Sequence, residues 1–405
     1  MMYDAYQTHA DVLWPLRSLA RNAAPALMDR TFGMAGHAPH RQLAAACEVF
    51  NLAEVTHRRP AWGIASVKVG DEDVAITEEA VQVTPFATLL RFRKATATPG
   101  ERVLVVAPMS GHFATLLRDT VRTMLIDHDV YITDWHNARD VPLAEGRFGL
   151  DEYTEHLMTF LATMGPGSPL VAICQPCVAA LAATALMAED DHAATPASLT
   201  LMAGPIDCRV NPTEVNKLAT TKDIAWFEKN LISTVPWRLP GAGRRVYPGF
   251  VQLSAFMSMN RERHVNAFRD YYVNLVAEEH DKARVTRNFY EEYFAVADLP
   301  AEFYLETVKW VFQDYALPKG ELMFRGRPVN PEAIRRTALL TVEGERDDIC
   351  AVGQTLAAQD LSRNVRPYLR THYVQAGVGH YGVFSGRRWQ KQIYPMVRNV
   401  IHTSR

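Results

Sequence analysis

Six short apolar runs limit what this chain can fold into. VLVVA at 103, DVYIT at 129, LVAI at 170, SLTLM at 198, ALLTV at 338 and THYVQ at 371 are separated by longer, helix-like segments. Strands buried on both faces read as continuous apolar runs, and helices between them imply βαβ crossovers. The pattern therefore predicts a largely parallel sheet. From Trp62 to Arg93, β-branched residues alternate with polar ones around Gly70 and Asp71, as in a hairpin. The first fifty residues are expected to be helical, with Leu13, Leu16, Leu19 and Ala20 on one apolar face.

One interval departs from this rhythm. Between Gly204 and Arg336 there is no comparable strand, while aromatic residues such as Trp226, Trp237, Phe256 and Tyr290 crowd into helix-like sequence. The expectation is a helical cap or lid inserted at 204–336 into an α/β core at 61–203 and 337–405, behind an N-terminal helical segment at 1–60. The aromatics would form a core of their own, as such side chains usually do, or line an apolar entrance. With 48% hydrophobic residues the chain can bury a large core. Its formal charge of -2 gives no electrostatic case for nucleic acid or an anionic membrane. No segment approaches the roughly 20 apolar residues of a membrane span, and the first residues lack a basic stretch leading into an apolar one. Five scattered cysteines argue against a disulfide framework, so a reduced, cytoplasmic protein is expected.

The chemistry turns on CQPC, where Cys174 and Cys177 follow the LVAI run. A structural zinc site would need a second ligand pair, which the sequence lacks, and neither metal nor cofactor is expected. A thioredoxin-type dithiol also follows a strand and heads a helix, but here the motif lies deep within a long α/β series. The third reading is a nucleophile elbow, with Cys174 on the turn and Cys177 already inside the helix. A thiol at a helix N-terminus feels the positive end of the dipole, which favours the thiolate. Proline at position 176 departs from the usual GxSxG pattern.

An elbow needs an acid and then a histidine, each after a later strand. TVEGERDD carries Asp347 three residues after Gly344, with Asp348 as its neighbour, and AGVGHYG carries His380 in a glycine-rich loop. The bland alternative is a turn-forming aspartate and a loop histidine. The oxyanion hole would use the backbone N–H of Gln175 and that of Met109 or Ser110 in PMSGH. Trp135, His112, Trp226 and Trp237 are candidates to line the substrate site, although His112 reads more readily as a loop-shaping residue.

PMSGHFATLLRDTV, VYITDWHNARDVPL, ICQPC, LMAGPIDCRVNPTEVN and TVEGERDDICAVGQT together resemble the intracellular polyhydroxyalkanoate (poly(3-hydroxybutyrate)) depolymerases, over nearly the whole chain. The resemblance implies an α/β-hydrolase fold, a mostly parallel sheet flanked by helices, with a cysteine where most such enzymes use serine. Carried over by position, Cys174 is the nucleophile, Asp347 the acid and His380 the base. The implied reaction is hydrolysis of granule-bound polyester to 3-hydroxybutyrate oligomers and monomers, with the polymer or granule surface as partner. A synthase-like acyltransferase, thiolysis by coenzyme A and a noncatalytic granule-binding protein stand as alternatives. The sequence leaves a homo-oligomer open.

Overall fold

The computed structural model describes residues 2–28, 38–96, 100–259 and 261–404. Seven strands come first: β1 (Ser66–Val69), β2 (Glu72–Val83), β3 (Ala87–Lys94), β4 (Glu101–Val106), β5 (His128–Trp135), β6 (Leu170–Ile173) and β7 (Ser198–Met202). Three very short strands follow, β8 (Ser233–Thr234), β9 (Arg245–Tyr247) and β10 (Leu299–Pro300), which form a small antiparallel sheet. After the two-residue pair β11 (Met323–Phe324) and β12 (Arg327–Pro328), β13 (Ala338–Gly344) and β14 (Arg370–Gln375) rejoin the main sheet.

Among the described residues the main sheet has nine strands in the order β1-β2-β3-β5-β4-β6-β7-β13-β14. β1 to β3 are antiparallel, β3 pairs antiparallel with β5, and every pairing from β5 through β14 is parallel. This is an α/β-hydrolase fold. All six apolar runs lie in strands, and β5, β6, β7 and β13 are buried along their whole length, as central parallel strands must be. The register aligns their C-terminal ends: Val106 pairs with Ala172, Ile173 with Met202, Val342 with Met202, and Gly344 with Gln375. The loops that follow β4, β6, β13 and β14 therefore leave the sheet at one edge.

Helices cover the sheet. The chain opens with α1 (Met2–Met28) and α2 (Ala38–Leu52), which pack on each other; the part of the expected N-terminal helical segment at 29–37 lies outside the described residues. The face expected to be buried on α1 is not the one that is. Ala20 is buried and Leu13 partly so, but Leu16 and Leu19 are exposed along with Val12 and Trp14. Periodicity located the stripe but could not say which of its residues the packing on α2 would cover. Next come α3 (Arg118–Met124), α4 (Leu150–Met164) and α5 (Cys177–Glu189). The last is apolar all round and buried from Cys177 to Met187, because it runs between α4 and the sheet.

Between β7 and β13 the chain is mainly helical, with α6 (Glu214–Thr220), α7 (Ile224–Leu231), α8 (Gly249–Met259), α9 (Arg261–Val276), α10 (His280–Tyr293) and α11 (Ala301–Glu306). No strand comparable with those of the main sheet was expected there, and among the described residues β8 to β12, which fall within it, do not exceed three residues. Its aromatics divide. Tyr271, Tyr290, Tyr293 and Phe294 form a separate small core with Leu52 of α2, whereas Phe227, Tyr247, Phe303 and Tyr304 face a cavity over the sheet edge.

Candidate active site

Cys174 leaves β6 with φ +67, a left-handed conformation that costs a non-glycine residue about 1–3 kcal/mol unless its surroundings enforce it. They do. Its N–H donates to the carbonyl of Met202 on β7 at 2.7 Å, and its own carbonyl accepts the N–H of Cys177 at 3.1 Å. Pro176, with φ -67, starts the helical path, and α5 begins at Cys177. The two cysteines therefore sit in opposed settings. Cys174 is half-buried at the turn, while Cys177 is fully buried, its thiol directed at the carbonyls of Ala172 and Met202 at 3.4 and 3.7 Å. Burial pushes the Cys177 thiol well up from its ordinary value. Among the described residues all five cysteines are unpaired.

Space for this turn comes from the neighbouring strand. A Cβ on Gly204 would stand 2.2 Å from Cys177 Cβ and 3.1 Å from the Cys174 carbonyl oxygen. Sequence reasoning missed Gly204; the glycine two residues beyond SLTLM was its only signal.

The acid loop leaves β13 through a turn in which Asp347 N–H donates to the Gly344 carbonyl at 3.2 Å. The Asp347 carboxylate is shielded from solvent. Oδ1 accepts the N–H groups of Ile349 and Cys350 at 2.9 and 2.8 Å, and Oδ2 accepts from His380 Nδ1 at 2.8 Å. Asp348 is exposed and does not make this contact. The loop is pinned from below by Glu343, fully buried on β13, whose carboxylate accepts the N–H groups of Gly353, Thr355 and Leu356 at 2.8–3.0 Å. Glu343 was not singled out from the sequence, although a lone charge in an apolar strand was visible. Burial opposes a charge on His380, but Cys174 and Asp347, each attracting and hydrogen-bonding the ring, outweigh it and hold the imidazole well above its ordinary value.

Cys174, Gln175, Met109, Ser110, His112 and His380 all line one cavity of about 250 Å³, roofed by α6 to α8, α11 and the helical stretch after it. The Met109 N–H donates to the side-chain Oε1 of Gln175 at 3.2 Å, so an amide oxygen stands at one expected oxyanion donor. The Gln175 side chain was a second omission of the sequence reading. His112 Nε2 is held by the Tyr293 carbonyl at 3.1 Å, and burial pushes the imidazole down to about 4, leaving it a neutral wall at pH 7.

Three proposed lining residues are elsewhere. Trp135 is buried beneath the sheet edge, donating to the Ala107 carbonyl at 2.8 Å and stacking on Tyr153. Trp226 turns outward because adjacent helical residues point about 100° apart, and it is Phe227 that faces the cavity. Trp237, in the loop after β8, is 89% exposed. Among the described residues no cluster of three His, Cys, Asp or Glu could hold a metal ion, and no helix is long and apolar enough to cross a membrane.

Solved structures similar to this chain include an alpha/beta hydrolase from Penicillium sp. sh18, 14% identical over 82% of this chain and 97% of that one, with a TM-score of 0.44. An esterase from Thermogutta terrifontis is 13% identical over 80% and 98%, TM-score 0.42. The 2-hydroxy-6-oxo-6-phenylhexa-2,4-dienoate hydrolase from Rhodococcus sp. strain RHA1 is 12% identical over 81% and 99%, TM-score 0.42. No curated protein matches the chain. The model of the PHB de-polymerase C-terminus matches residues 203–405, half of the chain and the half that carries Asp347 and His380. By that match, and with its α/β-hydrolase sheet, the chain belongs to the PHB depolymerase family.

Proposed function

We propose that this protein hydrolyses the ester bonds of poly(3-hydroxybutyrate) or a related polyhydroxyalkanoate through a Cys174–His380–Asp347 triad. The observation that carries this reading is the φ +67 turn at Cys174, which opens into the same apolar cavity as a buried His380 hydrogen-bonded to Asp347. With the proton already held on His380, the Cys174 sulfur attacks the ester carbonyl. The carbonyl oxygen, charged in the tetrahedral intermediate, is held by the N–H groups of Gln175 and Met109, once the Gln175 side chain has left the latter. The C–O bond breaks, the alkoxide leaves with the proton from His380, and an acyl-cysteine remains. Water, deprotonated by His380, then releases the acid and the thiol. Asp347 orients the imidazole and stabilises its charged form without taking the proton.

The segment 204–336 acts in this reading as a cap that presents apolar side chains to a water-insoluble chain. The resemblance to intracellular depolymerases supports granule-bound polymer in the cytoplasm as the substrate, at low salt dependence given a net charge of -2. Amorphous polymer incubated with the protein should release 3-hydroxybutyrate oligomers or monomers, with Cys174→Ala losing about 10⁴-fold or more in turnover and Cys177→Ala retaining most of it. A thioester product appearing only with coenzyme A would redirect the acyl group to thiolysis. Equal loss in both variants while both stay folded would overturn the single-nucleophile reading.

A further inference from the structure

A second cavity is also lined by His380. It measures about 290 Å³, close to the lower end of ligand-sized pockets at about 300 Å³. It shares Phe256, Ile349, His380 and Tyr381 with the cavity that holds Cys174, so these residues form the wall between the two. The chemistry of the two spaces differs. No Asp, Glu, Lys or Arg lines the first, whereas the second carries Arg263, from the first turn of α9, and Asp348, from the acid loop. Among the described residues neither Arg263 nor Asp348 makes an ion pair.

An ester has a direction, and the proposed triad reads it. The carbonyl oxygen must point to the donors at Gln175 and Met109, on the Cys174 side, while the leaving oxygen must face His380 to receive its proton. The alcohol half of the substrate therefore departs past the imidazole. In a 3-hydroxyalkanoate polyester the acyl half runs back to the hydroxyl end of the chain, and the alcohol half runs forward to the carboxyl end. A short oligomer cleaved here thus carries a carboxylate on the half that leaves past His380.

We infer that the second cavity is the subsite for the alcohol half, and that Arg263 there binds the terminal carboxylate of 3-hydroxyalkanoate oligomers. The inference rests on the triad reading above. A guanidinium offers a carboxylate two parallel hydrogen bonds, and Arg263 is the cation among the described residues lining this cavity. Asp348 opposes it by repelling an anion from the same space. The interior of a long polymer is uncharged and is indifferent to both, so this pair discriminates oligomer ends from polymer.

The test compares the 3-hydroxybutyrate dimer and trimer as free acids with the same oligomers as methyl esters. Arg263→Gln should lower the acid-to-ester ratio of kcat/KM about tenfold, mainly through the KM of the acid, with a much smaller loss on the ester. Arg263→Lys should restore part of the ratio, Asp348→Asn should raise it, and added salt should shrink the wild-type ratio. A ratio unchanged in Arg263→Gln, or acid and ester losses that match, would overturn the carboxylate subsite while leaving ester hydrolysis intact. Cleavage of neither substrate by the unaltered protein would overturn the hydrolase reading and the subsite with it.

Discussion

His380 is where burial and charge oppose each other most directly. Its ring is almost closed off from solvent, which disfavours the imidazolium, yet Asp347 at 2.8 Å and Cys174 raise its pKa well above the ordinary value. A histidine raised on folding contributes stability that is fully present below the unfolded value, near 6.5, and is lost as pH rises through the folded value. The melting temperature of the unaltered protein should therefore exceed that of His380→Gln most at pH 6, and the gap should narrow steadily on going alkaline. A gap independent of pH would show that the imidazole is neutral in the folded protein. At this scale the sequence already gave the residue types and their chain order. The spacing from Gly344 favoured Asp347 over Asp348, but what separates the two is which carboxylate the loop turns inward, and here the N–H groups of Ile349 and Cys350 hold Asp347 in.

The elbow is a property of neighbouring elements more than of CQPC itself. β6 and α5 supply the turn, but β7 supplies the carbonyl of Met202 that fixes Cys174, and Gly204, two residues beyond β7, leaves the gap into which Cys177 packs. Gly204 has no positive φ, so the demand is purely steric. Gly204→Ala would drive a Cβ into Cys177 Cβ, an atom of the helix start that cannot rotate away. It should cost about 1–3 kcal/mol of stability, as overpacking does, and reduce turnover by moving Cys174 off its line to His380. Denaturant midpoints and kcat on a soluble ester check both; an unchanged midpoint with unchanged kcat would refute the steric account. The four fully buried strands, β5, β6, β7 and β13, were legible because burial on two faces leaves an unbroken apolar run. Gly204 and Glu343 were not, because the contacts that give them their roles join residues far apart in the chain, and a local pattern carries no trace of them. The same holds for α1, whose apolar stripe was visible but whose partner was not, and for Trp226, where one step along a helix exchanges inside for outside.

The whole molecule is tied together at one carboxylate. Asp298, 2% exposed and just ahead of β10, accepts from Tyr3 Oη of α1 at 2.5 Å and from the N–H of Gly249, the first residue of α8, at 2.9 Å. Its own N–H donates to Asn137 Oδ1, in the loop after β5, at 2.9 Å. Burial pushes Asp298 up to about 6, against the pull of its hydrogen bonds from Tyr3 and Gly249 and of Arg139. Burial likewise pushes the Tyr3 phenol far up, so it remains the donor at any working pH. A carboxyl raised on folding costs stability as pH climbs from its unfolded value toward the folded one, and the Tyr3 bond limits that cost. Above about 6 the acceptor is charged and the bond is charge-assisted; below it the acceptor is neutral and the bond is weaker. Tyr3→Phe should thus destabilise by about 2 kcal/mol at pH 8 and about 1 kcal/mol at pH 5, read from denaturant unfolding, and should expose α1 to limited proteolysis first at the higher pH. Because α8 also brings Gln252, Ala255 and Phe256 to the cavity, release at Asp298 should raise KM before it lowers kcat. Equal destabilisation at the two pH values would mean that the Asp298 charge has no part in holding the N-terminal helix, and that α1 is kept in place by its other contacts, among them its packing on α2 and the stacking of Tyr6 on Phe250.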